Sequence, residues 1–496
     1  MGAAESKDDV VEEILNKDSL TTAEDKELTK YEFPFENLIL EGGGVKGVAY
    51  AGVIKILTDV GIYQNIKRFG GGSIGSMFAC MLVVGYPPNE VMLMMDRELK
   101  DIAEDHSCGI FSFLPNLITK YGWNPGSKLY KWFGKKLEDK TGNKDITFKE
   151  LYNYTGKELC ITVTNVSRRT TEYCHMKTTP NMAVRMAVRM SMSIPGFYEA
   201  VQYKNGENVD VYVDSFVLLN YPLHCFDGWW LSTKPEDSFL IKLQPLNQMS
   251  KLWSSRFGEF NNKTLGVIMQ SDTERKLYED FVFRDGEADA QPVERPDTPL
   301  ARGSAEVEQK KKALDEYHDK LFAAFSEFLK VLSDSNLDKN SVIDRNELSK
   351  ALEMTDQSTF TTEHARTLFG EQYDLSTIFD LLDANGDGKI NYYELITFAQ
   401  KRGIDVQSRF TGYDRTEITG IGGFLGSMME SMTMNLQRIG FTANDVDRTI
   451  GVDVGYIGSL DMDLTPEDNL YAVKQGMVGT LRYLRYYVKK FNPPVK

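Results

Sequence analysis

The stretch NLILEGGGVKGVAYAGVI (residues 37–54) decides the fold class of this chain. A short apolar run at residues 37–40 ends in an acid and three glycines, and a helical apolar pattern follows at residues 48–57. The same order recurs in IKRFGGGSIGSMFACMLVV (residues 66–84), where a second apolar run enters a glycine turn and a second helix. A strand, a glycine turn and a helix in repeated order predict an α/β layer with a parallel sheet.

Composition and apolar spacing divide the chain into five predicted regions. They are a mobile N-terminal arm at 1–35, the first part of the α/β domain at 36–284, a linker or mobile loop at 285–310, a helical segment at 311–402 and the remainder of the α/β domain at 403–496. Within the α/β domain, further strands are predicted at residues 158–165, 209–213 and 238–243.

The bulk composition excludes several classes of protein. Of the 496 residues 42% are hydrophobic, which is enough for a folded core, and the net charge of −15 disfavours nucleic acid as a partner. Five scattered cysteines without CxxC spacing fit a reducing compartment and argue against a disulfide framework. No apolar run reaches the roughly 18 residues of a membrane span. A cytoplasmic protein with peripheral membrane contact is therefore expected.

The first residues carry one further pattern. Met1 and Gly2 followed by Ser6 fit N-myristoylation of Gly2, but they fit slightly better a start codon followed by small residues. A single myristoyl chain would give only marginal membrane affinity.

A nucleophile is indicated at Ser73, in the G-x-S-x-G sequence of residues 71–75. In such a sequence the serine occupies a strained turn between a strand and a helix, and its small neighbours allow the backbone to turn sharply. The pattern alone is weak in a chain with 40 glycines. Its position after a predicted strand and before a predicted helix is what gives it weight.

An oxyanion hole is predicted in the glycine run that precedes the first helix. Glycine amides can approach and stabilise the negative oxygen that forms when a serine attacks an ester. The predicted residues are Gly42, Gly43, Gly44 and Gly47, with Lys46 as a nearby cation. A phosphate-binding loop fits less well, because Gly47 is followed by Val48 where a nucleotide loop of this kind requires lysine.

The expected base is a carboxylate, since none of the five histidines has a motif context. Asp214 follows the apolar run at residues 211–213 and precedes Asn220 and Pro222. A carboxylate within hydrogen-bond reach of a serine can act as its base. Asp210, four residues earlier, is the fallback.

Together these blocks resemble the patatin-like phospholipase family. Residues 42–47 resemble its glycine-rich oxyanion sequence, residues 71–75 its nucleophile turn, residues 189–197 the segment before its aspartate, and residues 214–222 its aspartate segment. The final strand and helix, from residue 448 onward, are similar as well. The resemblance implies a three-layer α/β/α sandwich with a mostly parallel central sheet, a Ser73–Asp214 dyad, and hydrolysis of fatty acyl esters of the phospholipase A or lysophospholipase type.

One departure from the family leaves an alternative open. Ser215 and Phe216 stand where the family carries glycines after the aspartate. If those glycines give room to the base, the chain is a catalytically impaired scaffold that acts as a calcium-responsive binding module for a membrane or a protein.

A calcium loop is predicted at residues 383–394, DANGDGKINYYE, which follow the twelve-residue EF-hand pattern. The expected ligands are Asp383, Asn385, Asp387, the carbonyl of Lys389, and Glu394, and Ile390 would pair with a partner loop. Residues 336–347 have the same register, so an all-α EF-hand pair is predicted at 311–402. The expected ligands of this weaker site are Asn336, Asp338, Asn340, Val342 and Glu347. Because the pair interrupts the α/β domain, calcium is a candidate regulator.

Overall fold

The computed structural model describes residues 19–88, 90–91, 94, 102, 105, 113–271, 293–335, 342–353, 359–404, 418 and 420–496. These residues belong to two compact units. The first comprises Met1–Ala301 with Glu417–Lys496, and the second comprises Arg302–Thr416. The second unit is therefore wider than the helical segment predicted at 311–402.

The described α-helices are α1 Ala23–Glu27, α2 Tyr50–Asp59, α3 Ser73–Val83, α4 Phe113–Lys120, α5 Ser127–Thr141, α6 Phe148–Thr155, α7 Val184–Ser191, α8 Phe239–Lys242, α9 Met249–Leu252, α10 Pro299–Ser335, α11 Arg345–Glu353, α12 Thr362–Phe369, α13 Leu375–Leu382, α14 Tyr392–Lys401, α15 Gly420–Gly440, α16 Ala443–Val446 and α17 Pro466–Phe491. The described strands are β1 Asn37–Leu40, β2 Arg68–Gly71, β3 Gly122–Asn124, β4 Glu158–Asn165, β5 Thr170–Cys174, β6 Gly196–Tyr198, β7 Val201–Asn205, β8 Asn208–Val213, β9 Thr264–Ser271, β10 Val342–Ile343, β11 Ile390–Asn391 and β12 Thr449–Gly455.

An eight-stranded mixed sheet forms the centre of the first unit. Its order is β12-β9-β1-β2-β4-β8-β7, and β5 pairs with β4. The pairs from β12 to β4 are parallel, whereas β4–β8, β7–β8 and β4–β5 are antiparallel. The predicted parallel sheet is thus confirmed for five strands. The antiparallel strands β7 and β8 are joined by a short turn, and β8 delivers Asp214.

The two faces of the sheet have different covers. Alternate residues of each strand point to opposite faces, so Leu38 and Leu40 join the larger core, and Ile39 joins a smaller one. The larger core contains residues of the helices α2, α3, α7 and α17. The smaller core is instead completed by chain between residues 219 and 231, with Phe257 and Phe441. Among the described residues, irregular chain supplies most of the apolar side chains that cover this face, and Phe441, which follows helix α15, adds to them.

The second unit has a separate apolar core, most of whose residues are helical. Buried side chains in it include Phe325, Phe328, Phe360, Leu382 and Phe398. Its two short strands, β10 and β11, pair antiparallel, and Ile343 lies opposite Ile390.

Two predicted irregular regions are wrong in part. Within the predicted N-terminal arm, residues from Leu20 onward pack on the main core, and Asp25 is buried 2.6 Å from the Arg485 guanidinium. Within the predicted linker, helix Pro299–Ser335 begins eleven residues before the expected end of the linker. The amide of Ala301 donates to Thr298 Oγ1 at 3.1 Å and so stabilises the first turn of this helix.

The predicted strand at 238–243 is also wrong. The structure has the short helix Phe239–Lys242 there, with Leu240 and Ile241 exposed to solvent. A short apolar run is ambiguous between strand and helix, and this one pairs with none of the described strands. Among the described helices, none combines the length and the apolar character that crossing a bilayer requires.

Candidate functional site

Ser73 is the first residue of α3, directly after the turn that leaves β2. Its φ of +48° is a left-handed conformation that only a tightly held turn imposes on a serine. The helix crosses β1 closely, because a Cβ at Gly75 would collide with the carbonyl oxygen of Leu40. The small residues of the G-x-S-x-G sequence therefore allow the close packing that fixes the serine at the carboxyl end of the sheet.

Asp214 lies within hydrogen-bond reach of Ser73. The Ser73 hydroxyl donates to Asp214 Oδ2 at 2.8 Å, although 141 residues separate the two. Asp214 follows the last residue of β8, and its own amide donates to the carbonyl of Ser193 at 2.9 Å. Both side chains are buried. The two residues predicted as a dyad thus lie within hydrogen-bond distance of each other.

The second oxygen of Asp214 is held by the residues that depart from the family pattern. The amide of Phe216 donates to Asp214 Oδ1 at 2.9 Å, and the Ser215 hydroxyl lies 3.5 Å from the same atom. Burial raises the pKa of Asp214 to about 7, and the hydrogen bonds from Phe216 and Ser73 partly oppose that rise. A pKa near neutrality suits a general base.

Ser191 is a member of the site that the sequence did not identify as functional. The amide of Ser73 donates to Ser191 Oγ at 2.8 Å, and Ser191 Oγ donates to the carbonyl of Thr162 at 2.7 Å. This chain of hydrogen bonds ties the turn to β4. The only sequence signal for it was the resemblance of residues 189–197 to a family segment.

The predicted oxyanion glycines divide into different roles. The amide of Gly42 donates to the carbonyl of Asn220 at 3.0 Å, so it is engaged and the prediction of Gly42 as a free donor is wrong. For the amides of Gly43 and Gly44, no acceptor is found within the described part of the chain. Gly44 has a φ of +56°, and a Cβ there would collide with the carbonyl oxygen of Ser459. Gly43 and Gly44 are therefore the two residues of the run that can supply amides to an oxyanion.

Lys46 and Gly47 serve the packing of the loop. Lys46 is buried, and its Nζ donates to the carbonyl of Met269 at 3.1 Å, which directs its charge toward β9. A Cβ at Gly47 would lie 3.2 Å from Ile74, so this glycine gives room to α3. Both residues adjoin the nucleophile turn, but neither presents a donor to Ser73.

The other base candidates lie elsewhere. Asp210 accepts hydrogen bonds from Asn165 at 3.1 Å and from Arg168 at 2.8 Å, and it makes none with Ser73. His175 lies 3.1 Å from Glu158, and His224 lies 2.8 Å from the Tyr173 hydroxyl. Burial lowers the pKa of His224 to about 4, so it is neutral. No described histidine contacts the Ser73–Asp214 pair.

The loop predicted to bind calcium has a tightly turned backbone. Gly386 and Gly388 have φ angles of +73° and +81°. Asp383 accepts amide hydrogen bonds from Gly386 at 2.8 Å and Gly388 at 2.9 Å, so its carboxylate lies inside the loop. Glu394 connects the two halves of the loop, because it accepts from the amides of Asn385 at 3.2 Å and Asn391 at 3.0 Å.

The remaining predicted ligands of this loop follow the same pattern. Asn385 Oδ1 accepts from the amide of Asp387 at 2.8 Å, and Asp387 Oδ1 accepts from the amide of Lys389 at 2.9 Å. Over the described residues, no three His, Cys, Asp or Glu side chains are gathered as a ready metal ligand set. The donors are all oxygens, the type that calcium prefers.

The weaker calcium site is only partly described. Val342 belongs to β10, opposite Asn391, and Glu347 is buried in α11. The Glu347 amide donates to Asp344 Oδ1 at 2.9 Å. Asn336, Asp338 and Asn340 lie outside the described residues, as does Gly2.

A cavity of about 390 Å³ lies behind the segment that follows Asp214. Phe216 and Asn220 line one part of it, and Phe257 and Phe260 line another. Arg448 also lines it, but its guanidinium is paired at 2.7 Å with Asp227 and at 2.7 Å with Asp445. The cavity thus combines mainly apolar walls with a charge that is already neutralised.

Comparison with known proteins finds a family match for the part of the chain that contains this site. Residues 38–227 match the family described as "Patatin-like phospholipase". An uncharacterized protein of Acanthamoeba polyphaga mimivirus is 34% identical over 198 residues, covering 40% of this chain and 63% of that protein. The "Probable lipid hydrolase 463L" of Invertebrate iridescent virus 6 is 24% identical, covering 48% of this chain and 79% of that protein. These matches support a patatin-like phospholipase domain over residues 38–227, which includes Ser73 and Asp214.

Two further likenesses are more limited. "Triacylglycerol lipase 4" of Saccharomyces cerevisiae is 30% identical over 171 residues, which are 32% of this chain and only 18% of that protein. Among solved structures, VipD from Legionella pneumophila is 14% identical, with a TM-score of 0.39 over 92% of this chain and 68% of VipD. A structural likeness of that size supports no conclusion about this chain.

Proposed function

We propose that this protein is a serine lipid acyl hydrolase of the phospholipase A or lysophospholipase type. The observation that carries the proposal is the 2.8 Å hydrogen bond from Ser73 Oγ to Asp214 Oδ2, with Ser73 in a left-handed conformation. The family match and the lipid hydrolases among the relatives favour an acyl ester of a lipid as the substrate.

The proposed reaction proceeds in two halves. Ser73 Oγ attacks the acyl carbonyl carbon while its proton passes to Asp214, and the resulting oxyanion accepts hydrogen bonds from the amides of Gly43 and Gly44. Asp214 then returns the proton to the departing alcohol. Water, deprotonated by Asp214, attacks the acyl-enzyme and releases the fatty acid and the free serine.

A fluorophosphonate probe and a short-chain soluble ester test this proposal together. We expect the native chain to be labelled and to hydrolyse the ester, whereas Ser73→Ala abolishes both. Asp214→Asn should retain the fold and lower the rate by about 10²–10⁴-fold, the usual contribution of a general base. Ser349→Ala, which removes an exposed hydroxyl that bonds Glu353 within α11 of the second unit, is the matched control. Labelling that persists in Ser73→Ala would remove Ser73 from the mechanism.

The impaired-scaffold alternative rests on Ser215 and Phe216. The contact from the Phe216 amide to Asp214 argues against it, because any residue except proline supplies that amide. We expect Ser215→Gly/Phe216→Gly to change the rate of ester hydrolysis by less than about threefold. A gain of 100-fold or more would instead show that the native residues impair the base.

We also propose that the second unit binds calcium through residues 383–394. The turned loop, the Asp383 carboxylate within it, and the pairing of Ile343 with Ile390 support an EF-hand pair. When bound, calcium would supply a rigid centre for the loop, held by Asp383, Asn385, Asp387, the Lys389 carbonyl and Glu394. Regulation of the hydrolase is a separate proposal, and equal rates of ester hydrolysis with calcium and with chelator would contradict it.

A cytoplasmic location with peripheral membrane contact completes the proposal. Substrates of a lipid hydrolase lie at an interface, so the chain needs a surface that meets lipid. A fluorescent fusion that stays in the soluble fraction and never reaches membrane fractions would contradict this part.

A further inference from the structure

A cluster of exposed apolar side chains lies between residues 238 and 256, apart from the dyad. The segment consists of short helical turns, among them α8 and α9. Five large apolar side chains in it are exposed, which we call the docking surface: Leu240 (84%), Ile241 (60%), Leu246 (60%), Met249 (46%) and Trp253 (64%). Concentrated apolar exposure of this kind marks an interaction site and is uncommon on a monomer surface.

The docking surface belongs to one packed layer. The Phe239 ring lies 5.0 Å from the Trp230 ring, and the Arg256 guanidinium lies 5.9 Å from Trp230 and 4.3 Å from Trp253. Trp230 and Phe239 are partly buried and point inward. These ring and cation–π contacts therefore connect α8 with Trp253 and leave the exposed side chains on the outer side.

A partly buried lysine fixes this layer to the domain. Lys177 Nζ donates to the carbonyls of Trp229 at 2.8 Å, Ser232 at 2.7 Å and Asp237 at 2.8 Å. Its ammonium group also lies 4.6 Å from the Phe239 ring. One lysine therefore anchors three carbonyls of the chain that leads into the docking surface. We expect this anchor to keep the apolar side chains of the docking surface exposed.

The charges of the segment select its partner. Residues 238–258 contain Lys242, Lys251 and Arg256 and no acid, and Glu236, Asp237 and Glu259 border them. Lys242 pairs with Asp237 at 3.1 Å, whereas Lys251 is exposed. Exposed Leu, Ile and Trp flanked by basic side chains fit the boundary of an anionic phospholipid membrane, where aromatic rings and apolar side chains enter the headgroup region.

The cavity behind Asp214 extends toward the same layer. Phe257 and Phe260, which continue the docking segment, line the cavity that Phe216 and Asn220 line from the side of the dyad. We propose that the docking surface binds the surface of an anionic phospholipid membrane. This inference rests on the proposed hydrolase function, because that function explains why the chain meets lipid.

The test uses full-length chain with Ser73→Ala, so that vesicles are not hydrolysed, and measures co-sedimentation with two kinds of vesicle. We expect binding to phosphatidylcholine mixed with phosphatidylserine and weaker binding to phosphatidylcholine alone. Leu240→Ser/Trp253→Ser should weaken binding to the mixed vesicles at least tenfold. The control Tyr154→Ser/Val209→Ser, which replaces apolar side chains of similar exposure elsewhere, should stay within twofold.

A charge variant tests the electrostatic contribution to vesicle binding separately. Lys251→Glu should weaken binding to the anionic vesicles only, whereas Lys204→Glu on the β7–β8 hairpin should not. We call Leu240→Ser/Trp253→Ser the docking variant. Equal binding of the docking variant and its control, or no binding of Ser73→Ala to either vesicle, would overturn the proposal. So would a dimer of the Ser73→Ala chain in sedimentation velocity that the docking variant disperses, since a second copy would then cover the surface.

The docking and hydrolase proposals fail in different assays. Introduced into the otherwise native chain, the docking variant should hydrolyse a water-soluble short-chain ester at the native rate and lose activity on vesicles. If the native chain hydrolyses no soluble ester, the hydrolase proposal fails, while vesicle binding by the Ser73→Ala chain is measured independently.

Discussion

The backbone amide of Ser73 donates a hydrogen bond to Ser191 Oγ at 2.8 Å, and the Ser191 hydroxyl donates a hydrogen bond to the carbonyl of Thr162 at 2.7 Å. The first bond holds the amide of the nucleophile in a turn whose φ of +48° is unfavourable for a serine. Positioning of the Ser73 hydroxyl toward Asp214 therefore depends on a side chain from α7, as well as on the glycines around it.

Removing this acceptor should slow catalysis without weakening substrate binding. Ser191→Ala leaves the buried Ser73 amide without a partner, which costs about 1–3 kcal/mol. If part of that cost falls on the turn, we expect kcat to fall about tenfold with KM nearly unchanged. The matched control is Thr480→Val, which removes a buried hydroxyl that bonds within α17. A comparable drop of kcat in Thr480→Val would mean that general destabilisation is responsible.

The pH dependence of the rate should report on Asp214. Its pKa is raised to about 7 by burial, and only the deprotonated form can accept the Ser73 proton. Activity should therefore be present above pH 7 and be lost as the pH falls through about 7, with kcat half-maximal there. A stopped assay with a soluble ester over this range is the measurement. An acid limb near pH 4 would show that Asp214 is far more solvated than the structure indicates.

Replacing either of two adjacent glycines with alanine should lower kcat, but to different degrees. A Cβ at Gly42 would collide with Asn220 Oδ1 and lie 2.9 Å from Ser73 Cβ, whereas a Cβ at Gly43 would meet the terminal methyl of Met269 at 3.0 Å. The methionine methyl can move, and the Asn220 amide, which donates to the Gly42 carbonyl at 2.7 Å, cannot move as easily. We expect Gly42→Ala to lose at least about 100-fold in kcat, as much as loss of an oxyanion donor costs, because the collision displaces Asn220 and the Ser73 side chain. Gly43→Ala should retain more activity at a similar melting temperature, and the reverse order would contradict this assignment.

The elements around Ser73 could be predicted from the sequence because their chemistry is local. A strand, a glycine turn and a helix leave their signature in consecutive residues, and Asp214 follows its strand directly. The contacts of Ser191 and Asn220 could not be predicted in this way, since they join residues that are more than 100 positions apart. The hydrogen bond from the Gly42 amide to the Asn220 carbonyl could not be predicted for the same reason.

The run SFLIKL at residues 238–243 shows a different limit. Its apolar residues fit a buried strand as well as a helix. The structure exposes Leu240 and Ile241, since Lys177 holds the preceding chain by its carbonyls and none of the described strands pairs with this run. Nothing in the local sequence identifies Lys177 as the anchor.

Calcium binding should depend on the last residue of the loop. Glu394 would give both carboxylate oxygens to the ion, so Glu394→Gln should lower calcium affinity by at least about tenfold in isothermal titration calorimetry. Glu363→Gln, which changes an exposed acid in α12, is the control and should bind like the native chain. Native chain that releases no heat with calcium would remove the proposal. The calorimetric result is independent of hydrolase activity.

The final prediction concerns Lys177, which anchors the chain that leads into the docking surface. Lys177→Met removes the donor shared by the carbonyls of Trp229, Ser232 and Asp237, which are partly buried, so each should cost less than the roughly 1–3 kcal/mol of a fully buried unsatisfied acceptor. Chain from 229 to 242 should then lose its fixed position and become a site of limited proteolysis. Vesicle binding should weaken with it, while hydrolysis of a soluble ester stays near the native rate. Lys234→Met, which replaces an exposed lysine in the same segment, should change neither proteolysis nor vesicle binding. If Lys177→Met still binds vesicles like the native chain, the docking surface does not depend on the hydrogen bonds of Lys177.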